Sequence, residues 1–129
     1  MSPSINLVVI RSADLDRAEA FYSLIGLSFI RHRHGKGPEH LACEGEYSVF
    51  EIYPQNPKLP NTHGSRIGFR VSDVDECVSK IESEGEQVFQ APSDSEWGRR
   101  AVVVDPDGHK VELVTIGFSL QFRPTHFQV

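Results

Sequence analysis

Glu51 and Glu112 each interrupt an apolar run, SVFEIY and HKVELVT, and a carboxylate in such a setting must be paired, ligated or solvated. Arg66 opens a third segment of the same kind, RIGFRV. Its guanidinium can fork onto carboxylates through charge-assisted hydrogen bonds and so relieve the repulsion between two acids brought together. The same fork suits a carboxylate or phosphate of a bound molecule. If such a ligand takes Arg66, the acids lose their partner, their proton affinity rises, and one of them can act as a general base. Glu51 and Glu112 are therefore the catalytic candidates, and they are a poor cage for a transition metal unless an imidazole joins them.

The histidines could supply that imidazole. His32 and His34 share a strand face and His40 starts the next strand, so His32 with Glu51 and Glu112 is the fallback ligand set. The run Arg31 to Lys36 reads instead as a solvated, basic hairpin end, a rim that attracts anions, with these histidines exposed. His63 falls in a linker and His109 follows a tight turn, which places both at the surface. Cys43 has no base beside it and is not expected to be a nucleophile. Trp97 either packs over a sheet edge or walls a binding site.

These residues are positioned by a repeat. At an offset of 59, Val8 falls on Ile67, Ile10 on Phe69, Arg11 on Arg70, Asp14 on Asp73, Asp16 on Asp75 and Gly26 on Gly85. Each copy reads as strand, capped amphipathic helix and glycine stop, with Asp14 and Asp73 as caps and Val74, Cys77, Val78 and Ile81 as one apolar stripe. Strand patterns follow at 27–34, 40–43 and 47–53 in the first copy and at 87–91, 100–104 and 110–115 in the second. Each half is thus βαβββ: residues 5–53 and 65–115, joined by a proline-rich linker at 54–64. A half of this size buries too little surface alone, so the two share a core in one α+β domain spanning 1–129. The sheet faces opposite the helices form an open, half-barrel cleft. By strand parity Leu7, Val9, Tyr47, Glu51, Tyr53, Arg66 and Glu112 line it, and Trp97 joins them if it forms a wall.

The duplicated pattern, the segment Asp14-Leu15-Asp16-Arg17-Ala18-Glu19-Ala20-Phe21-Tyr22 with Ile25-Gly26-Leu27, and Trp97-Gly98-Arg99-Arg100 leading to Asp105-Pro106-Asp107-Gly108-His109-Lys110-Val111-Glu112-Leu113 resemble the vicinal oxygen chelate superfamily. That group includes glyoxalase I, bleomycin and fosfomycin resistance proteins, extradiol dioxygenases and methylmalonyl-CoA epimerase. The resemblance covers about residues 5–115 and implies a fold, not one reaction. In metal-dependent members His or Glu ligands come from the first and fourth strands of each half, positions that fall here on Leu7, Glu51, Arg66 and Glu112. Leucine offers no donor atom and arginine is a permanent cation. The expectation is a metal-independent protein with no cofactor that binds a small amphipathic or anionic molecule. The alternative is a divalent-metal lyase, isomerase or dioxygenase with a nonstandard ligand set, and a subunit that only scaffolds a dimer is a further one.

Composition sets the remaining bounds. A chain of 129 residues with 39% hydrophobic residues is globular, and no apolar run is long enough for a membrane span. A net charge of −5 argues against nucleic acid as a partner. No signal-like segment opens the chain, and Cys43 and Cys77 read as free thiols, so a cytoplasmic location is expected. Alternation of Ile116, Phe118, Leu120 and Phe122 predicts an arm over residues 116–129 whose apolar face clamps a homodimer.

Overall fold

The structure, a computed structural model, describes residues 2–116; beyond Ile116 the expected arm lies outside the described residues. Period-two burial makes residues 7–12 the first strand, β1 (Leu7–Ser12), with Ile10 and Ser12 buried and Leu7 and Val9 exposed. Helix α1 (Leu15–Leu24) begins where the extended Asp14 accepts a hydrogen bond from the Arg17 N–H at 3.1 Å. Helix α2 (Val74–Ser83) begins the same way, Asp73 accepting from the Glu76 N–H at 3.0 Å. Left-handed backbone at Gly26 and Gly85 ends them.

The other strands are β2 (Ile30–His32), β3 (His40–Glu44), β4 (Val49–Pro54), β5 (Arg66–Arg70), β6 (Gln87–Ser95), β7 (Gly98–Val104) and β8 (Lys110–Thr115). They form two four-stranded sheets, ordered β1-β4-β3-β2 and β5-β8-β7-β6. In each sheet the first strand runs parallel to the fourth and the other pairs are antiparallel. The same βαβββ topology therefore occurs twice, as the offset of 59 predicts, and the sheets stay open.

Several strand boundaries differ from the sequence pattern. Tyr47 lies before β4, because the Gly45 N–H donates to Ser48 O at 2.8 Å and closes a turn around it. β2 shrinks to three residues, the chain leaving the ladder for the turn at Gly35. β6 runs on to Ser95 through Pro92 with two register shifts, which an edge strand tolerates since its outer N–H groups have no partner to lose.

Both halves feed one core. Phe21 and Tyr22 of α1, Val78 and Ile81 of α2, and the inward residues Ile10, Leu41, Ile52, Val103, Val111 and Leu113 form a single buried cluster. Tyr22 ties the halves together, its ring centroid 5.2 Å from Phe50 and 6.0 Å from Phe69, while Phe50 and Phe69 lie 5.4 Å apart.

Beneath it runs a buried polar chain. The Tyr22 hydroxyl donates to Asp105 Oδ2 at 2.6 Å, and His109 Nδ1 lies 2.8 Å from the same oxygen. His109 Nε2 is 2.6 Å from Thr62 Oγ1, which also accepts from the Arg11 N–H at 2.9 Å. Linker, β1, α1 and the turn before β8 are thereby fastened at one point. The sequence pattern put His109 at the surface, but it is fully buried: the parity that turns Val111 and Leu113 inward turns His109 inward too.

This chain sets an alkaline limit. Burial first, then the adjacent Asp105 carboxylate, raises the Tyr22 pKa far above the ordinary phenol value. The folded protein keeps a proton that the unfolded chain releases near pH 10, so the stabilisation is complete below that pH and is lost as pH rises past it. Urea midpoints are expected to fall above about pH 10, and Tyr22→Phe should flatten that fall. An unchanged alkaline limb in the variant would show that Tyr22 is not its source.

Candidate functional site

Strand parity carries the two acids to the helix-free faces of different sheets. Glu51 lies on β4 beside Val9 of β1, and Glu112 on β8 beside Gly68 of β5. Leu7 and Val9 are 50% and 38% exposed on the same face as Glu51, enough to meet a ligand.

Arg66 does not bridge the two acids. Its Nη2 lies 3.2 Å from Glu112 Oε2, and its side chain is half exposed. The stronger partner of Glu112 is Arg100 on β7, whose Nε and Nη2 donate to Oε1 at 3.0 Å and Oε2 at 3.1 Å in a two-pronged fork. Arg100's hydrogen bonds first, then Arg66, hold the Glu112 carboxyl below the usual range against a burial effect of opposite sign. Arg100 also donates to Gln90 Oε1 at 3.3 Å. Glu112 is therefore a fixed anion and not a proton acceptor waiting for substrate.

Glu51 meets a histidine instead. His40 is 1% exposed, its Nδ1 is 3.3 Å from the carbonyl of Pro38, and its Nε2 sits 3.4 Å from Glu51 Oε2 without a directed hydrogen bond. A carbonyl can only accept, so Nδ1 carries the hydrogen there. The remaining nitrogen faces the carboxylate, and Glu51, 18% exposed, presents that pair to the open face. The polar sequence around His40 predicted exposure, but the ring is buried because it lies flat on Tyr53, at 4.1 Å and 8°. A row of side chains crosses the sheet from there: Arg11 caps Tyr53 at 5.4 Å, and His34 and His32 lie 5.2 and 6.0 Å from His40. His34 alone of these rings is exposed as predicted.

Tyr53 thus stands on the predicted face, while Tyr47 is 82% exposed in its turn. Trp97 is 37% exposed in the turn joining β6 and β7, its backbone N–H donating to Ser95 Oγ at 3.1 Å. Cys43 and Cys77 are free thiols, and burial pushes the Cys77 thiol up, away from the thiolate a nucleophile needs.

The residues at the chelating positions do not fit a divalent metal. Leu7 lacks a donor, Arg66 repels a cation, and Glu112 is occupied by guanidinium. Glu51, Glu112 and His32 are not assembled either: His32 lies on the edge strand two away from β4, and Glu112 is held by two guanidinium groups. Among the described residues no group of three or more His, Cys, Asp or Glu side chains is placed to hold a metal ion.

The family model described as Glyoxalase/Bleomycin resistance protein/Dioxygenase superfamily matches residues 4–113. The chain belongs to that superfamily. Within the superfamily, a probable lactoylglutathione lyase of Synechocystis sp. is 30% identical over 119 residues, which cover 82% of this chain and 90% of that protein. Among solved structures, the antibiotic binding protein TnmS3 of Streptomyces sp. CB03234 shares the fold with a TM-score of 0.72 at 23% identity, covering 90% of this chain and 98% of that one. A glyoxalase/bleomycin resistance protein of the same Streptomyces superposes with a TM-score of 0.68 at 25% identity over 87% and 100% of the two chains. The superfamily's helix starts, turns and strand order are all present here, while its metal positions carry Leu7 and Arg66. No helix among the described residues is long and apolar enough to cross a membrane.

Two residues that shape the site escaped the sequence pattern, and both were within reach of it. A hairpin turn at residues 105–109 sets Val104 opposite Lys110, so Arg100 shares a face with Glu112. The same pairing logic puts His40 beside Tyr53, one step beyond Leu41 opposite Ile52.

Proposed function

We propose that the protein binds a small anionic or amphipathic molecule on its open, helix-free sheet surface, without a resident metal. The observation that carries this reading is the guanidinium pair on Glu112: Arg100 and Arg66 stand where a chelated cation would need the carboxylate free. Their remaining N–H groups offer a ligand charge, and exposed Leu7 and Val9 on the helix-free face of the other sheet offer apolar surface. The solved structure of an antibiotic binding protein with the same fold is consistent with capture in place of turnover. A homodimer in the cytoplasm is part of the same proposal.

A second reading, a lyase or isomerase, rests on the Glu51–His40 pair and on the relative named as a probable lactoylglutathione lyase. Here Glu51 would take the proton and His40 would hold it in place; no metal step is involved.

Calorimetric titration of demetallated protein with nickel, zinc, iron and manganese tests the metal-free claim. The expected result is no sub-micromolar binding of any of them. Tight binding that disappears in Glu51→Ala would overturn it.

A further inference from the structure

Where the loop before β5 meets the turn before β8, a cavity of about 320 Å³ is lined by His63, Gly64, Ser65, Arg66, Gly108 and Lys110. No carboxylate lines it, although the chain carries a net charge of −5. The parallel register sets Arg66 beside Lys110 on one face, and like charges placed side by side on a sheet are unfavourable. Each is only partly relieved. Arg66 touches Glu112 through one nitrogen at 3.2 Å, and Lys110 Nζ sits 4.0 Å from the Phe89 ring centroid with no ion pair among the described residues. Glu112 is already taken by the Arg100 fork, so the two cations that line the cavity, Arg66 and Lys110, keep most of their positive charge.

We infer that this cavity takes the phosphate group of a phosphorylated small molecule. A dianion matches the uncompensated charge, which a carboxylate would only half neutralise. Donors are at hand in the free N–H groups of Arg66, the Lys110 ammonium and the Ser65 hydroxyl. At about 30 Å³ per water the space exceeds what a phosphate fills, leaving room for the carbon that carries it. The inference rests on the open face being a ligand site, since the rest of the molecule would lie there. His63, which the sequence pattern treated as linker, becomes a wall of this subsite.

The test is an amide NMR titration of the full, demetallated chain with inorganic phosphate, at constant ionic strength and at a pH where phosphate is mostly dianionic, with acetate as a second arm. Phosphate should shift the Gly64, Ser65 and Lys110 amides saturably. Lys110→Gln, a change at an exposed side chain, should weaken binding about fivefold, as loss of one exposed charge contact implies. Acetate should bind at least about fivefold more weakly than phosphate on the same argument. Shifts that fail to saturate or that map elsewhere, acetate equal to phosphate, or a Lys110→Gln variant equal to wild type would each overturn the inference. None of these results would touch the metal-free reading of the open face, which falls only if the demetallated protein takes up metal.

Discussion

Replacing Leu7 and Arg66 together by histidine is expected to turn a chain without tight metal affinity into one that binds nickel or zinc at micromolar concentration or below, about −8 kcal/mol or better. Leu7 and Glu51 lie on the same face of adjacent strands β1 and β4, and Arg66 and Glu112 on the same face of β5 and β8. Each sheet thus carries two of the positions that serve as ligands elsewhere in the superfamily, and within each pair it is the side chain at Leu7 or Arg66 that fails as a ligand. Two imidazoles with two carboxylates form a donor set that a borderline-soft cation accepts. Leu7→His alone should not suffice, because Arg66 would still place a permanent cation in the site. Glu112 has a further competitor: the Arg100 fork at 3.0 and 3.1 Å must be broken before the carboxylate can turn to a metal. A charge-assisted bond contributes about 1.5 to 3 kcal/mol, so adding Arg100→Gln should tighten the metal by about tenfold or more. Calorimetry on the single, double and triple variants, with circular dichroism to confirm folding, separates these steps. A double variant as metal-poor as wild type would show that something other than these side chains keeps metal out.

The division between what the sequence told and what it withheld follows from the range of the interactions. Caps at Asp14 and Asp73, the helical stripe of α2 and the inward residues of β1 and β8 are local patterns, and all appear where the spacing put them. The duplicated order of strands followed from the offset repeat. Side-chain partnerships were harder. Parity placed Arg66 and Glu112 on one face, but which cation would hold which acid depended on pairing between strands. Arg100 won Glu112 through the β7–β8 hairpin register, and Glu51, on the other sheet, found His40. His40 and His109 misled for one shared reason. Each sits next to polar turn residues, and burial was decided by what packs over it from elsewhere in the fold: Tyr53 of β4 in the first case, Thr62 of the linker and Tyr22 of α1 with Asp105 in the second.

The last of these networks should be the chain's most sensitive point. Asp105→Ala is expected to cost about 3 to 5 kcal/mol, the usual result of breaking a buried ionic contact from one side. The substitution strands four donors at once: the Tyr22 hydroxyl, His109 Nδ1–H, and the backbone N–H groups of Asp107 and His109, which reach Asp105 Oδ1 at 3.0 and 2.9 Å. Asp105 is 4% exposed, so water does not readily replace its oxygens. For a domain at the low end of the usual range of about 5 to 15 kcal/mol, such a loss leaves a measurable unfolded fraction. Asp105→Asn should lose clearly less. Its amide oxygen can still accept from the backbone, and His109 can respond to the new NH₂ by moving its proton to Nε2, where Thr62 Oγ1 accepts it. The acid limb of stability carries the same signature. Burial alone would raise the Asp105 carboxyl, yet hydrogen bonds from His109 and Tyr22 outweigh it and hold the group below the ordinary value. A depressed folded pKa stabilises above the unfolded value near 3.9 and is lost as pH falls through the folded one. Part of the acid sensitivity below about pH 4 should therefore vanish in Asp105→Ala. Urea midpoints at constant m-value report both effects; a variant within about 1 kcal/mol of wild type, a typical surface-mutation result, would mean the network is not what fastens the two halves together.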